Sequence, residues 1–155
     1  MKRGTQFLII VGLISIMMET KAQSKLVYVN ENNVAINGYD LVNYFTEYAA
    51  KKGSSAYAVE HSGATYYFAS EEHKTMFKAS PAKYLPEYGG YCSFAVGMKN
   101  ATVPTNPETF KIYNGKLYLF FNDLYEGQKF NTIIPWNGDE ANIKEMADTN
   151  WSAMQ

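Results

Sequence analysis

Cys92, His73, Met76 and Met98 are the side chains of this sequence best suited to hold a soft metal ion. Copper(I) accepts thiolate, thioether and imidazole donors at low coordination number. His73 and Met76 stand three apart, a spacing that places both on one face of a helix. Each also has a plainer reading. Met76 falls on the apolar side of its segment, where methionine fills gaps in a core. His73 follows Glu71 and Glu72 in an expected first helical turn, the setting of a solvated residue. Cys92 is the sole cysteine, so no internal disulfide can form. Free cysteine is among the most buried residue types, and beside a histidine it can be a nucleophile. His61, next to Ser62-Gly63, reads as an ordinary turn-flanking surface residue.

Tyr39, Tyr44, Tyr88 and Tyr91 make a second candidate set, in and around Gly38-Tyr39 and the Gly89-Gly90-Tyr91-Cys92 turn. Aromatic walls with a few polar tips are what small-molecule pockets use. Tyrosines half-buried at the rim of a small core would look the same in sequence. Motifs that carry a catalytic mechanism are missing: no G-x-S-x-G elbow, no H-E-x-x-H and no phosphate loop. Asp139, Glu140 and Asp148 read as a cap and a solvated helix face. The leading expectation is a non-enzymatic binding module for a copper ion or a small ligand. A structural or interaction protein of the envelope is the alternative, and a thiol-dependent enzyme using Cys92 is the third.

These residues need elements to hold them. Leu26 to Val29 reads as a short strand. Asp40 is an N-cap for a helical turn over Leu41 to Phe45. Two β-rich runs, 57–61 and 64–68, flank Ser62-Gly63 as a hairpin. Ser70 caps a helix that carries Met76 and Phe77 inward and stops before Pro81. A further helical turn covers 82–85. Gly89-Gly90 permits a sharp bend before Cys92, and 93–98 reads as a helical turn. Asn114-Gly115 joins strands 110–113 and 116–121 as a second hairpin. The tail from Asn122 to Trp151 reads as two helical pieces broken near Pro135 and Gly138, with Ile143, Met146 and Ala147 on one face. Strands and helices intermingle without βαβ alternation. The expected class is therefore α+β: a small antiparallel sheet of short hairpins with helices packed against it.

Lys2 and Arg3 precede the uncharged run Phe7 to Met18, too short for a membrane-spanning helix and the right length for a secretory signal. Thr20 and Ala22 are small residues two apart, which suits cleavage after Ala22. The expectation is a signal peptide over 1–22, one domain over 23–155, and a periplasmic or extracellular protein without a membrane span. Removing Lys2, Arg3, Lys21 and Glu19 from fourteen basic and fifteen acidic residues leaves eleven and fourteen, a net charge of about −3. Arg3 is the only arginine. A mature domain without that guanidinium fork, and slightly acidic, is a poor partner for nucleic acid.

The segment 63–85, GATYYFASEEHKTMFKASPAKYL, resembles the YHS domain family. Its Tyr-Tyr-Phe strand, serine cap, Phe77, Pro81 and Tyr84 carry the likeness. NGYDLVNYF at 37–45 and YGGYC at 88–92 are similar to an exported bacterial branch of that family. The likeness extends from Val34 to Trp151, and it implies a treble-clef-like core that holds metal through cysteines. This chain departs from that pattern at three places. Ala69 stands after the Tyr-Tyr-Phe strand, His73 in the first helical turn, and Gly38-Tyr39-Asp40 where an upstream Cys-Gly motif belongs. A structural zinc site takes four cysteine or histidine ligands. With His61, His73 and Cys92 as the mature chain's whole stock, a closed zinc site is not expected.

Overall fold

A computed structural model describes residues 26–155; the expected signal peptide lies outside them. The fold is α+β, as expected. Its strands form three antiparallel hairpins: β1 (Ser54–His61) with β2 (Ala64–Phe68), β3 (Asn106–Tyr113) with β4 (Lys116–Phe120), and β5 (Asn122–Tyr125) with β6 (Gln128–Asn131). The helices are α1 (Asn43–Thr46), α2 (Glu71–Ala79), α3 (Pro81–Tyr84), α4 (Ser93–Lys99), α5 (Ile133–Gly138) and α6 (Glu140–Met154). Among the described residues no helix is long and apolar enough to cross a membrane.

Strand β4 divides the interior. Side chains alternate across a strand, so Leu117 and Leu119 join one buried cluster while Tyr118 and Phe120 join another. The first cluster holds Tyr44, Tyr66, Phe68 and Phe77 around Ile36 and Leu41. The second holds Trp136 with Tyr88, Val96, Ile143 and Ala147. Truncating a ring such as Phe77 or Trp136, both fully buried, to alanine should cost about 3–5 kcal/mol.

Local chemistry explains most of the elements that frame the sites. Ser70 caps α2 by accepting from the His73 N–H at 3.1 Å, with Glu71 and Glu72 in the dipole-favoured first turn. The bend at 87–90 is built from Tyr88, Gly89 and Gly90, all at positive φ. At Gly89 a Cβ would run into the backbone carbonyl oxygen of Leu26, so the bend needs glycine there for space as well as for backbone freedom.

Three expectations need correction. Leu26 to Val29 is not a strand; it contributes a single bridge, Val29 with Ala35. Residues 122–131, expected to be helical, form the β5–β6 hairpin, turned at Glu126-Gly127 with both φ positive. Met146 is 45% exposed, and the buried face of α6 is Ile143 and Ala147.

Candidate functional site

Asp40 is completely buried and accepts four hydrogen bonds. Its Oδ1 caps the turn into α1, taking the Val42 N–H at 2.8 Å and the Asn43 N–H at 3.3 Å. Its Oδ2 takes the Ala69 N–H at 2.8 Å and lies 2.6 Å from His73 Nδ1. One carboxylate thus ties the 38–43 loop to the end of β2 and the first turn of α2. A buried carboxylate is tolerated when its oxygens are paired in this way. His73 is therefore not the solvated residue expected: its side chain is 15% exposed and held by Asp40. Nδ1 faces Asp40, which leaves Nε2 on the opposite side of the ring, without a partner among the described residues.

Asp40, Ala69 and His73 are the three places where this chain departs from the thiolate pattern implied by the family likeness. The fold brings them together. They do not fit a closed metal site, which needs four donors. Both carboxylate oxygens are already engaged, a peptide N–H cannot ligate, and one imidazole remains. Among the described residues no group of three His, Cys, Asp or Glu side chains could hold an ion.

The expected copper set does not assemble either. Cys92 is fully buried before α4, where its Sγ accepts the Phe121 N–H at 3.3 Å and sits 3.2 Å from Thr132 Oγ1. Met98, near the end of α4, is 45% exposed. Met76 packs against the first cluster, the core-filling role, and His73 pairs with Asp40. Cys92 has no histidine within hydrogen-bond reach among the described residues, so a histidine-activated thiolate has no support in the geometry.

The four tyrosines separate as well. Tyr44 is fully buried against Phe110 and donates to the Pro107 carbonyl at 2.8 Å. Tyr39 donates to Glu108 and lies under the Lys52 ammonium. Burial pushes both hydroxyls above the ordinary tyrosine range, and Glu108 adds to it. Tyr91 contacts the rings of Tyr28 and Trp151. Of the four, Tyr88 lines the cleft between the first hairpin, α3, the bend and α6.

That cavity is a cleft of about 480 Å³, within the usual range of small-molecule sites. His61 and Tyr66 reach it from the first hairpin, Leu85 from the end of α3, Glu87 and Tyr88 from the bend, and Trp151 from α6. His61, expected at the surface, is half-buried with its ring edge-on to Phe77 at 5.7 Å and Tyr66 at 6.3 Å. The Tyr66 ring is 2% exposed. Burial pushes its hydroxyl up to about 12, so it stays protonated. Tyr88 donates to Asp148 at 2.8 Å, which holds α6 against the bend. Asp148 and Glu140 are thus more than a solvated face. Trp151 continues the i+4 series of Ile143 and Ala147, a signal that the sequence carried and that the 143/146/147 face left unused.

Compared with family models, curated proteins and solved structures, the chain matches none.

Proposed function

We propose that this chain is an exported, non-enzymatic binding module of the YHS type that takes a small organic ligand. The observation that carries the ligand is the cleft between the first hairpin, α3, the bend and α6, walled by Tyr66, Leu85, Tyr88 and Trp151. The YHS reading is supported by the meeting of Asp40 with Ala69 and His73, 29 and 33 residues further along the chain, at positions that the likeness had marked. In this chain an Asp–His hydrogen bond occupies the place implied for thiolates, which shifts the reading from a metal ion to an organic molecule. Export rests on the basic flank and apolar run of 1–22.

Native mass spectrometry of protein taken from the exported fraction tests all three parts. The expected result is a chain starting near Gln23, with an organic adduct released on denaturation and no stoichiometric copper or zinc. Stoichiometric metal without an organic adduct would overturn the ligand reading.

A second reading, an envelope interaction protein, is favoured by one observation. Leu124, Tyr125 and Ile134 are 67%, 60% and 69% exposed on the last hairpin and α5. Large apolar side chains this exposed are candidates for a contact surface. Concentration-dependent self-association, or a stable protein partner with an empty cleft, would favour it.

A further inference from the structure

Three Asn-Gly pairs occur in this chain, at 37–38, 114–115 and 137–138. An asparagine followed by glycine can close on itself. The glycine peptide nitrogen attacks the asparagine Cγ, and no Cβ on the glycine stands in the way. The closure needs a free side-chain amide and a free glycine N–H. The fold denies both at Asn37. Its Nδ2 donates to the Tyr28 hydroxyl at 3.2 Å, and the N–H of the buried Gly38 donates to the Ala35 carbonyl at 2.9 Å. Asn137 sits in α5, with its Oδ1 accepting from Lys111 Nζ at 2.9 Å. Asn114 has neither restraint. It stands at the exposed tip of the β3–β4 hairpin, between the paired residues Tyr113 and Lys116. Among the described residues neither its side chain nor the Gly115 N–H has a hydrogen-bond partner. A Cβ built on Gly115 would touch nothing within 4 Å. Asn114 and Gly115 both take positive φ, in a turn at the very end of its hairpin, where local opening costs least.

We infer that Asn114 is the site of a spontaneous covalent modification, with water as its co-reactant. The Gly115 nitrogen loses its proton and bonds to Asn114 Cγ. The Cγ–Nδ2 bond breaks, ammonia leaves, and a cyclic imide remains. Water then opens either carbonyl of that ring. One product is aspartate; the other is isoaspartate, in which the main chain runs through the side-chain carbonyl carbon. Nothing is oxidised or reduced. Both products add a negative charge at the hairpin tip. Isoaspartate also lengthens a two-residue turn whose fit sets the register of β3 on β4. Strand β4 supplies side chains to both buried clusters, so a shift there reaches the core.

The mature protein is held at pH 8 and at pH 6, folded and in urea, then digested. The peptides that carry Asn37, Asn114 and Asn137 are followed by mass spectrometry for the change from amide to acid, and isoaspartate is distinguished from aspartate by fragmentation. In the folded protein at pH 8, Asn114 is expected to convert about tenfold faster than either of the others, because its turn opens most readily. Part of the product should be isoaspartate. Conversion should slow at pH 6, since the attacking nitrogen must give up its proton. In urea the three sites should react at similar rates, because each is the same Asn-Gly pair. Conversion of Asn37 or Asn137 in the folded protein as fast as Asn114 overturns the assignment. An Asn114 that stays intact in the folded protein while the unfolded chain reacts also overturns it, by showing that the turn protects the amide. Product without isoaspartate, or equal rates at the two pH values, overturns the imide route.

Discussion

His73 Nδ1 lies 2.6 Å from Asp40 Oδ2, a pairing that spans thirty-three residues of sequence and ends on a carboxylate with no exposure to solvent. It joins the loop before α1 to the start of α2, and the Ala69 N–H shares the same oxygen. Asp40→Ala would leave the Val42, Asn43 and Ala69 N–H groups and the imidazole without their acceptor. Leaving buried donors unpaired costs about 1–3 kcal/mol and more where a charge is involved, so a loss of about 3 kcal/mol is expected. His73→Ala should cost less, about 1–2 kcal/mol, because the three backbone donors still satisfy Asp40. Urea unfolding of both variants checks the order. A larger loss for His73→Ala than for Asp40→Ala would show that the anchor has been misassigned.

Cys92 acts in the structure as a buried acceptor. Its Sγ takes the Phe121 N–H, while Thr132 Oγ1 donates to the Phe121 carbonyl at 3.0 Å. Cys92→Ala removes that acceptor and opens a small cavity, and a loss of about 2 kcal/mol is expected. Cys92→Ser keeps an acceptor in place but buries a more polar atom, so its cost should be smaller, about 1 kcal/mol. In the native protein a thiol reagent should react only as fast as the domain opens. Rapid stoichiometric labelling without denaturant would contradict a sulfur enclosed in this way.

The elements set by short-range chemistry were legible in the sequence. Asn114-Gly115 turns β3 into β4, and Ser70 caps α2, because each needs only neighbouring residues. The β5–β6 hairpin was not legible as strand, because Leu124, Tyr125 and Phe130 are all exposed and no buried face imposes a period of two. Its remaining signal was the Glu126-Gly127 turn. Asp40 shows the same limit within one side chain. The capping by Oδ1 was readable, whereas the grip of Oδ2 on Ala69 and His73 depends on how β2 and α2 come back to the loop. The tyrosines were recognised as a set by composition, but spacing could not say that Tyr44 faces Pro107 and only Tyr88 faces the cleft.

Glu140 gives the fold an acid-sensitive contact. Burial opposes its charge, yet hydrogen bonds from Lys111 at 2.9 Å and Trp136 Nε1 at 3.0 Å outweigh burial and hold the carboxyl below its usual 4.5. A carboxyl with a depressed folded pKa contributes stability that is fully present above the unfolded value and is lost as pH falls through the folded one. The contribution should therefore persist at neutral pH and fade below about 4.5. Glu140→Gln should lower the midpoint of thermal unfolding at pH 7 and leave it nearly unchanged at pH 3. An equal drop at both values would mean that shape, and not charge, sets the role of Glu140.

Tyr118 offers the opposite test, a substitution expected to help. Its ring is 1% exposed between Tyr88 and Trp136, at centroid distances of 6.0 and 5.7 Å. Its hydroxyl is sealed from solvent and has no partner. Burial, with Glu87, Asp148 and Glu140 in the vicinity, drives its pKa far above the ordinary tyrosine value, so the group stays neutral and gives up its hydration without return. Tyr118→Phe keeps the ring contacts and deletes only the unpaired oxygen, and replacing an unsatisfied buried polar atom by an apolar group is neutral or stabilising. A gain of up to about 1 kcal/mol is expected, or a few degrees in Tm for a domain of this size. Calorimetry of Tyr118→Phe at neutral pH reads it directly. A loss of more than about 1 kcal/mol would show that the hydroxyl is bonded after all, through a buried water bridging it to a neighbouring acid.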